Sequence, residues 1–297
     1  MKNQYLGDVG DYGKYGMLRF FARNNIRIAV NWYLTPDDGS TDGKHITYLN
    51  NNAMRRYDEK LFDLLAAMVR AGDRNVITFE EQDAISGATY YHQLLHDEGK
   101  SRSDKNAYRD GWHKAALEAS KDAELVFLDP DNGAREKEAV NTKNSIKYCY
   151  ADEIADYYER GQNVVYYCSK GRRTYEQWED TKALMKRRLQ DARIAIITFH
   201  KGTQRSYVFV LHKENFRIYT ELIKKFLRAW PKVFSEESVG TGRLDGGKTG
   251  ELFCVTDSKG IELTIEECED GWVNIRFSDR KNSYSRISID HLFSKLR

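Results

Sequence analysis

The chain has 297 residues, 40% of them hydrophobic and 31% charged, and its 47 Lys and Arg against 45 Asp and Glu leave a formal charge of only +2. That length and apolar content suffice for one large domain, or for a core domain with a small appendage. The near balance of charge excludes a generally polycationic nucleic-acid coat, so any nucleic-acid contact has to come from local basic patches.

In chain order, "YGMLRFFARN" (15–24) carries apolar residues at helical spacing and predicts an early helix. "IRIAVNWYLT" (26–35) predicts a strand running into a turn-rich loop, "PDDGSTDG" (36–43). "KLFDLLAAMVRAG" (60–72) predicts an amphipathic helix closed by Gly72. "NVITFEE" (75–81) reads as a strand, and "ATYYHQLLH" and "DGWHKAALEASK" as helices. "AELVFLD" (123–129) predicts a buried strand, 151–161 a helix, 162–171 a strand and 174–191 a long helix whose acids precede its bases, as the helix dipole favours. "RIAIITF" (193–199) and "SYVFVLH" (206–212) predict a hairpin, and 217–230 a closing helix.

This alternation implies an α/β domain over residues 1–234, a Rossmann-like, mostly parallel sheet with a terminal antiparallel hairpin. After a glycine-rich stretch, residues 240–297 alternate apolar and polar residues in four short runs. They predict a small antiparallel β module, a candidate for target or partner recognition.

Cys149, Cys168, Cys254 and Cys268 show no CxxC spacing, which predicts reduced thiols rather than zinc. No apolar signal core and no run of about 18 apolar residues is present, so the expectation is a soluble cytoplasmic protein without membrane contact. "GRLDGGKT" (242–249) fits the P-loop pattern, yet strand-like sequence follows it where a helix is required, so ATP is not an expected ligand.

The chemistry concentrates in "ELVFLDPDNG" (124–133). An acid at the carboxyl end of a buried strand lies at the ligand-binding rim of an α/β sheet. Pro130 fixes the backbone there, and Asn132 or Gly133 supplies a positive φ for a sharp turn. The same residues also suit an ordinary turn between a strand and a helix.

Asp129, Pro130, Asp131 and Asn132 resemble motif IV, (D/N)PP(Y/F), of adenine-N6 and cytosine-N4 methyltransferases, with Asp131 in place of the second proline and Asn132 in place of the aromatic residue. Over residues 1–230 the chain is similar in particular to large-subunit ribosomal RNA adenine-N6 methyltransferases. "GDVGDYGKYG", with Gly7, Asp11 and Lys14, stands near the start, and "DGW", Asp110 to Trp112, stands before the motif IV strand. The resemblance implies a class I methyltransferase sheet, nucleic acid as substrate and S-adenosylmethionine as cofactor. It places Lys14 on the cofactor carboxylate, Asp110 with Trp112 at its adenine, and Asp129 with Pro130 on the target amino group. Gly39 and Gly43 stand where the family's glycine-rich loop runs, and Glu80 is the best placed acid for the ribose.

The residues also support other chemistry. Asp37, Asp38 and Asp42 follow the first strand and Asp129 and Asp131 a later one; convergence of these acids would bind Mg²⁺ or Mn²⁺ for phosphodiester cleavage, as in a defence or restriction nuclease. Alternatively the acids 37–42 are a solvated loop. Lys170, Arg172 and Arg173, with Lys201 and Arg205, would give a cationic rim for nucleic-acid phosphates. His200 stands beside it as a possible general base. Trp32 and Tyr33 are candidates for base stacking or for the core, and Lys44 and His45 for the same mouth. Three readings stand: methyl transfer to an exocyclic base amine, metal-dependent cleavage, or non-catalytic nucleic-acid binding with a degenerate cofactor site.

Overall fold

In a computed structural model the chain divides into two compact units, Met1–Gly240 and Thr241–Arg297. The structure describes residues 1–237 apart from 41, 97–98, 100, 138–143 and 172, and, beyond 237, the backbones of four strands.

The first unit is a seven-stranded, mostly parallel sheet with helices on both faces. Its strands are β1 (Ile28–Asn31), β2 (Thr89–Tyr91), β3 (Leu125–Leu128), β6 (Asn163–Ser169), β7 (Arg193–Phe199), β8 (Arg205–Leu211) and β9 (Phe234–Glu237). They lie in the order β2-β1-β3-β6-β8-β7-β9. The strands β2, β1, β3 and β6 run parallel, and β8 is inserted antiparallel between β6 and β7. β9 then pairs antiparallel with β7. A two-stranded parallel ribbon, β4 (Gly133–Arg135) with β5 (Tyr148–Tyr150), stands outside this sheet.

The helices are α1 (Val9–Arg23), α2 (Glu59–Ala71), α3 (Val76–Glu81), α4 (Arg102–Ala119), α5 (Ala151–Glu159), α6 (Tyr175–Arg188) and α7 (Phe216–Ala229). Residues of α1, α2, α3 and α7 pack one face of the sheet, and residues of α4, α5 and α6 the other. The period of two in a strand is visible in β3. Leu125 and Phe127 join the first core, Val126 and Leu128 the second, and all four are fully buried.

Helix α1 starts at Asp8, whose carboxylate accepts from the Gly10 N–H. Three glycines, Gly10, Gly13 and Gly16, lie in its interior, where each costs about 1 kcal/mol relative to alanine. Close approach explains them: a Cβ at Gly10 would collide with the Arg205 guanidinium, at Gly13 with the Phe199 ring and at Gly16 with the Trp230 ring.

Two segments differ from the expectation. Residues 76–81 form a helix rather than a strand, because Asn75 caps it through the Ile77 N–H and local capping outweighs the preference of Val, Ile and Thr for strands. Residues 89–91 form the edge strand β2 rather than a helix, since a parallel partner in β1 suits their Thr-Tyr-Tyr run. The short strands β4, β5 and β9 carry too few residues for periodicity to reveal them.

The second unit holds a four-stranded antiparallel sheet of β10 (Glu251–Thr256), β11 (Glu262–Cys268), β12 (Trp272–Phe277) and β13 (Tyr284–Ser288), paired in chain order. The P-loop-like residues 242–249 lie outside the described residues. Among the described residues, no helix is long and apolar enough to cross a membrane.

Candidate active site

The turn after β3 is built as a rim element. The Asp129 N–H still donates to the Asn31 carbonyl (3.0 Å), extending the β1 pairing, and the Asn132 N–H donates to Lys147 (2.9 Å). Gly133, at φ +113°, takes the positive backbone angle; a Cβ there would sit 2.6 Å from the Cys168 sulfur. Glycine is therefore required twice over, for conformation and for space. Cys168 and Cys149 are buried free thiols, and burial raises both pKa values, that of Cys168 to about 11, so neither is a nucleophile at neutral pH.

Asp129 is buried and bound to Lys14, with Nζ 2.6 Å from Oδ2. Lys14 also lies 2.8 Å from Asp11, one turn away on α1, and its charge sits over the Tyr15 and Trp32 rings at 4.8 and 5.6 Å. The Tyr15 hydroxyl donates to the other Asp11 oxygen at 3.2 Å. Burial opposes the charge on Lys14, but the carboxylates of Asp11 and Asp129 outweigh it and raise its pKa. Burial pushes the Asp11 carboxyl above its ordinary range, with Lys14 pulling the other way.

Beside this triad, three acceptors converge on one nitrogen. The α-ammonium nitrogen of Met1 donates to the Asp129 carbonyl at 2.8 Å and to the Tyr33 carbonyl at 3.2 Å. It lies 2.8 Å from Asp131 Oδ1, in a carboxylate only 6% exposed. That last contact lacks hydrogen-bond direction, and both Asp131 oxygens are without a hydrogen bond among the described residues. Tyr33 itself is fully buried at φ +45°, a conformation that a tyrosine rarely adopts and that aims its carbonyl at this nitrogen. Thr35 N–H closes the arrangement on the Met1 carbonyl at 2.9 Å. The ends of β1 and β3 thus share one polar cradle, as the sheet topology demands.

The acid loop does not join it as a metal centre. Among the described residues no group of three or more His, Cys, Asp or Glu is placed to hold a metal ion. Asp38 pairs with Lys2, a bond that holds its carboxyl well below the ordinary range; Asp37 accepts from the Gln4 N–H at 3.1 Å; Asp42 is exposed; Asp129 belongs to Lys14. The expected convergence of Asp37, Asp38, Asp42 and Asp129 is corrected by this: residues 1–4 occupy the space between the two loops. Gly39 and Gly43 keep positive φ angles of 65° and 80° in that loop.

The expected cofactor contacts are redistributed. Lys14 is taken up by two carboxylates rather than free for a third. Asp110 is exposed on α4, 3.5 Å from Lys137, whereas Trp112 is buried between the Tyr33 and Tyr91 rings at the ends of β1 and β2. Glu80 comes from helix α3 but still reaches that edge, accepting from Trp32 Nε1 (2.5 Å) and lying 2.7 Å from His92 Nδ1. Burial raises its pKa against both bonds.

Trp32 and Tyr33 are wholly buried and belong to the core. Arg205 is paired with Asp8 at 2.6 Å, and Arg173 caps the Ser169 and Lys170 carbonyls. Lys201 is exposed and Lys170 half-buried, with no partner for either ammonium among the described residues; Arg172 lies outside them. His200 meets the Ser235 hydroxyl at 2.7 Å rather than an acid that would orient it as a base, and Lys44 and His45 are exposed.

No protein-family model and no curated protein matches the chain. Among solved structures, the crystal structure of LPL1258 from Legionella pneumophila str. Philadelphia 1, of the family DUF519, is similar at 11% sequence identity and a TM-score of 0.40. The match covers 80% of this chain and 97% of that one.

Three contacts at this rim escaped the sequence reading. The Met1 nitrogen, the Asp8–Arg205 pair and the Lys2–Asp38 pair are contacts between residues far apart in the chain, with no periodic signal. Tyr5 also emerges only in the structure. Burial first, then the negative field of Asp131, holds its hydroxyl far in the protonated form. Burial likewise raises Tyr167, to about 12, with Arg205 opposing it and Asp129 adding to it.

Proposed function

We propose that this chain transfers a methyl group from S-adenosylmethionine to an exocyclic amine of a nucleic-acid base. The observation that supports the reading is the cradle: a buried carboxylate without a hydrogen bond, Asp131, and the Asp129 carbonyl face the same nitrogen position, each 2.8 Å from it. The Met1 ammonium holds that position in the structure, and a donor with two hydrogens that displaces it satisfies both acceptors. An exocyclic –NH₂ offers that pair. Accepting both hydrogens draws the amine out of conjugation with its ring and raises electron density on nitrogen, which favours attack on an electrophilic methyl group.

In this reading Asp129 acts through its carbonyl, while its side chain and Asp11 neutralise Lys14. The motif IV resemblance is then met in an altered form, with Asp131 supplying the second acceptor. S-adenosylmethionine would supply the methyl group; Glu80, Trp112 and the Tyr33 carbonyl lie at the β1 and β2 ends where its nucleoside would be held. Tyr5 takes the part of the motif's aromatic residue, which this chain lacks at Asn132. Lys170 and Lys201 contribute phosphate contacts that position the substrate.

Titration calorimetry with S-adenosylmethionine tests the reading. Binding with a Kd in the micromolar range, weakened tenfold or more by Glu80→Ala, is expected. Absence of heat at millimolar cofactor contradicts it.

A further inference from the structure

Helix α1 carries Asp8 and Asp11 at the rim, and its other end borders a second concavity. This cavity, about 380 Å³, is lined by Arg19, Ala22, Arg23, Lys60, Leu64, Gln82, Asp83, Ala84 and Ser86. At 1.5 Å per residue, the span from Asp8 to Arg23 is roughly 22 Å, so this is not the cradle seen from another side.

The lining has a defined polarity. Asp58 lies behind it, buried, and accepts from Arg19 Nε at 2.8 Å, Arg23 Nη2 at 3.3 Å and the Leu61 N–H at 3.2 Å. Arg19 also donates to the Ala84 carbonyl, which fixes the guanidinium as a wall of the cavity at 12% exposure. Arg23 gives Asp58 only its Nη2, is 52% exposed, and so keeps its other N–H groups for the cavity. Lys60 is exposed, with no partner among the described residues. Three cations against the lining's Asp83 and the already saturated Asp58 leave the mouth net positive. Ala22, Leu64 and Ala84 supply an apolar patch, and Gln82 with Ser86 supplies amide and hydroxyl groups.

An exposed lysine and a half-free guanidinium at the mouth of an otherwise mixed cavity are a phosphate-binding combination. The volume suits one nucleotide, and the apolar wall with its amide suits the face and edge of a base. We propose that this cavity is a second ligand site, separate from the methyl-transfer cradle, that binds a phosphate-bearing nucleotide through Arg23 and Lys60. The phosphate belongs either to a free mononucleotide or to one nucleotide of a polymer.

Titration calorimetry of the full chain with AMP, adenosine and pyrophosphate tests this, with each titration repeated on Arg23→Gln/Lys60→Glu and on Lys44→Glu. AMP is expected to bind at least tenfold more tightly than adenosine. The double variant should lose at least tenfold of that affinity with its melting temperature within a few degrees of wild type, while Lys44→Glu, at the opposite end of α1, should leave it unchanged. Displacement of AMP by a 12-nucleotide RNA identifies polymer phosphate as the occupant; retention identifies the free nucleotide, and either outcome sustains the site. Absence of AMP and pyrophosphate binding at millimolar concentration overturns it, as does binding indifferent to the double variant. Neither failure bears on the cradle, which is read by S-adenosylmethionine.

Discussion

Replacing Lys14 by methionine keeps the length and apolar stem of the side chain and removes its charge. In the folded chain this leaves the carboxylates of Asp11 and Asp129, both buried, facing a site with no cation; they now lie 2.8 and 2.6 Å from the lysine nitrogen. Removing one partner of a buried ion pair costs about 3–5 kcal/mol, because the remaining charge loses both water and its counter-ion. For a unit of this size that corresponds to a fall in melting temperature of roughly 6–20 °C. The deficit depends on pH. The raised pKa of Lys14 means that its stabilisation is whole below the ordinary value of 10.5 and fades only as pH rises through the folded value, so wild type keeps it across the neutral range. Asp11 has its pKa raised by burial, so the folded state holds that proton more tightly than the unfolded state, and without Lys14 this grows stronger. The variant therefore recovers stability relative to wild type as pH falls from 7.5 to 5. Urea unfolding followed by circular dichroism at both pH values measures this. A deficit below about 1 kcal/mol at pH 7.5, or one that widens on acidification, would refute the reasoning. Adding Asp129→Asn to the variant should restore part of the loss.

Gly133→Ala combines a φ of +113° with a Cβ 2.6 Å from the Cys168 sulfur, so it should destabilise by about 2–4 kcal/mol in urea unfolding, well beyond a simple glycine replacement. Glu153 accepts two bonds from Arg109, at 2.6 and 2.9 Å, and one from the Tyr33 hydroxyl at 3.0 Å; burial opposes its charge, but Arg109 prevails and lowers its pKa. That contribution is present above the ordinary value of 4.5 and lost as pH falls through the folded value, so the gap of about 3–5 kcal/mol between wild type and Glu153→Gln at pH 7 should narrow below pH 4.5. Lys170→Ala/Lys201→Ala should weaken single-stranded nucleic-acid binding and flatten its log–log salt slope by about 1.4, at roughly 0.7 per phosphate contact; an unchanged slope in a fluorescence-anisotropy titration would remove these lysines from the interface.

Much of the architecture was legible from pattern alone. Long amphipathic segments such as α2, closed by Gly72, announced themselves through period and cap, while the Asp58 cap at its start shows only in the structure. The β7–β8 hairpin did so through two alternating apolar runs. Short elements failed where context decides: Val76–Glu81 looks like a strand until Asn75 is seen as its cap, and Thr89–Tyr91 needs β1 beside it to be a strand. The Asp129 turn was readable because a strand-ending acid followed by Pro130 and a glycine is a local signal. The three glycines of α1 are intelligible only once Arg205, Phe199 and Trp230 are known to press on them. The arrangement of the acid loops was out of reach for a related reason. Sequence brings the two acid loops to one sheet edge, yet cannot say that Lys2, Gln4 and the Met1 nitrogen stand between them.

The central claim is that Asp131 and the Asp129 carbonyl receive an amine that is then methylated. Incubating the protein with methyl-labelled S-adenosylmethionine and adenine-containing RNA or DNA, followed by nucleoside analysis, tests it most directly. The account predicts label on the exocyclic nitrogen, with transfer reduced at least a hundredfold by Asp131→Ala while cofactor binding persists. Label absent from both nucleic acids, or transfer indifferent to the loss of Asp131, would contradict it.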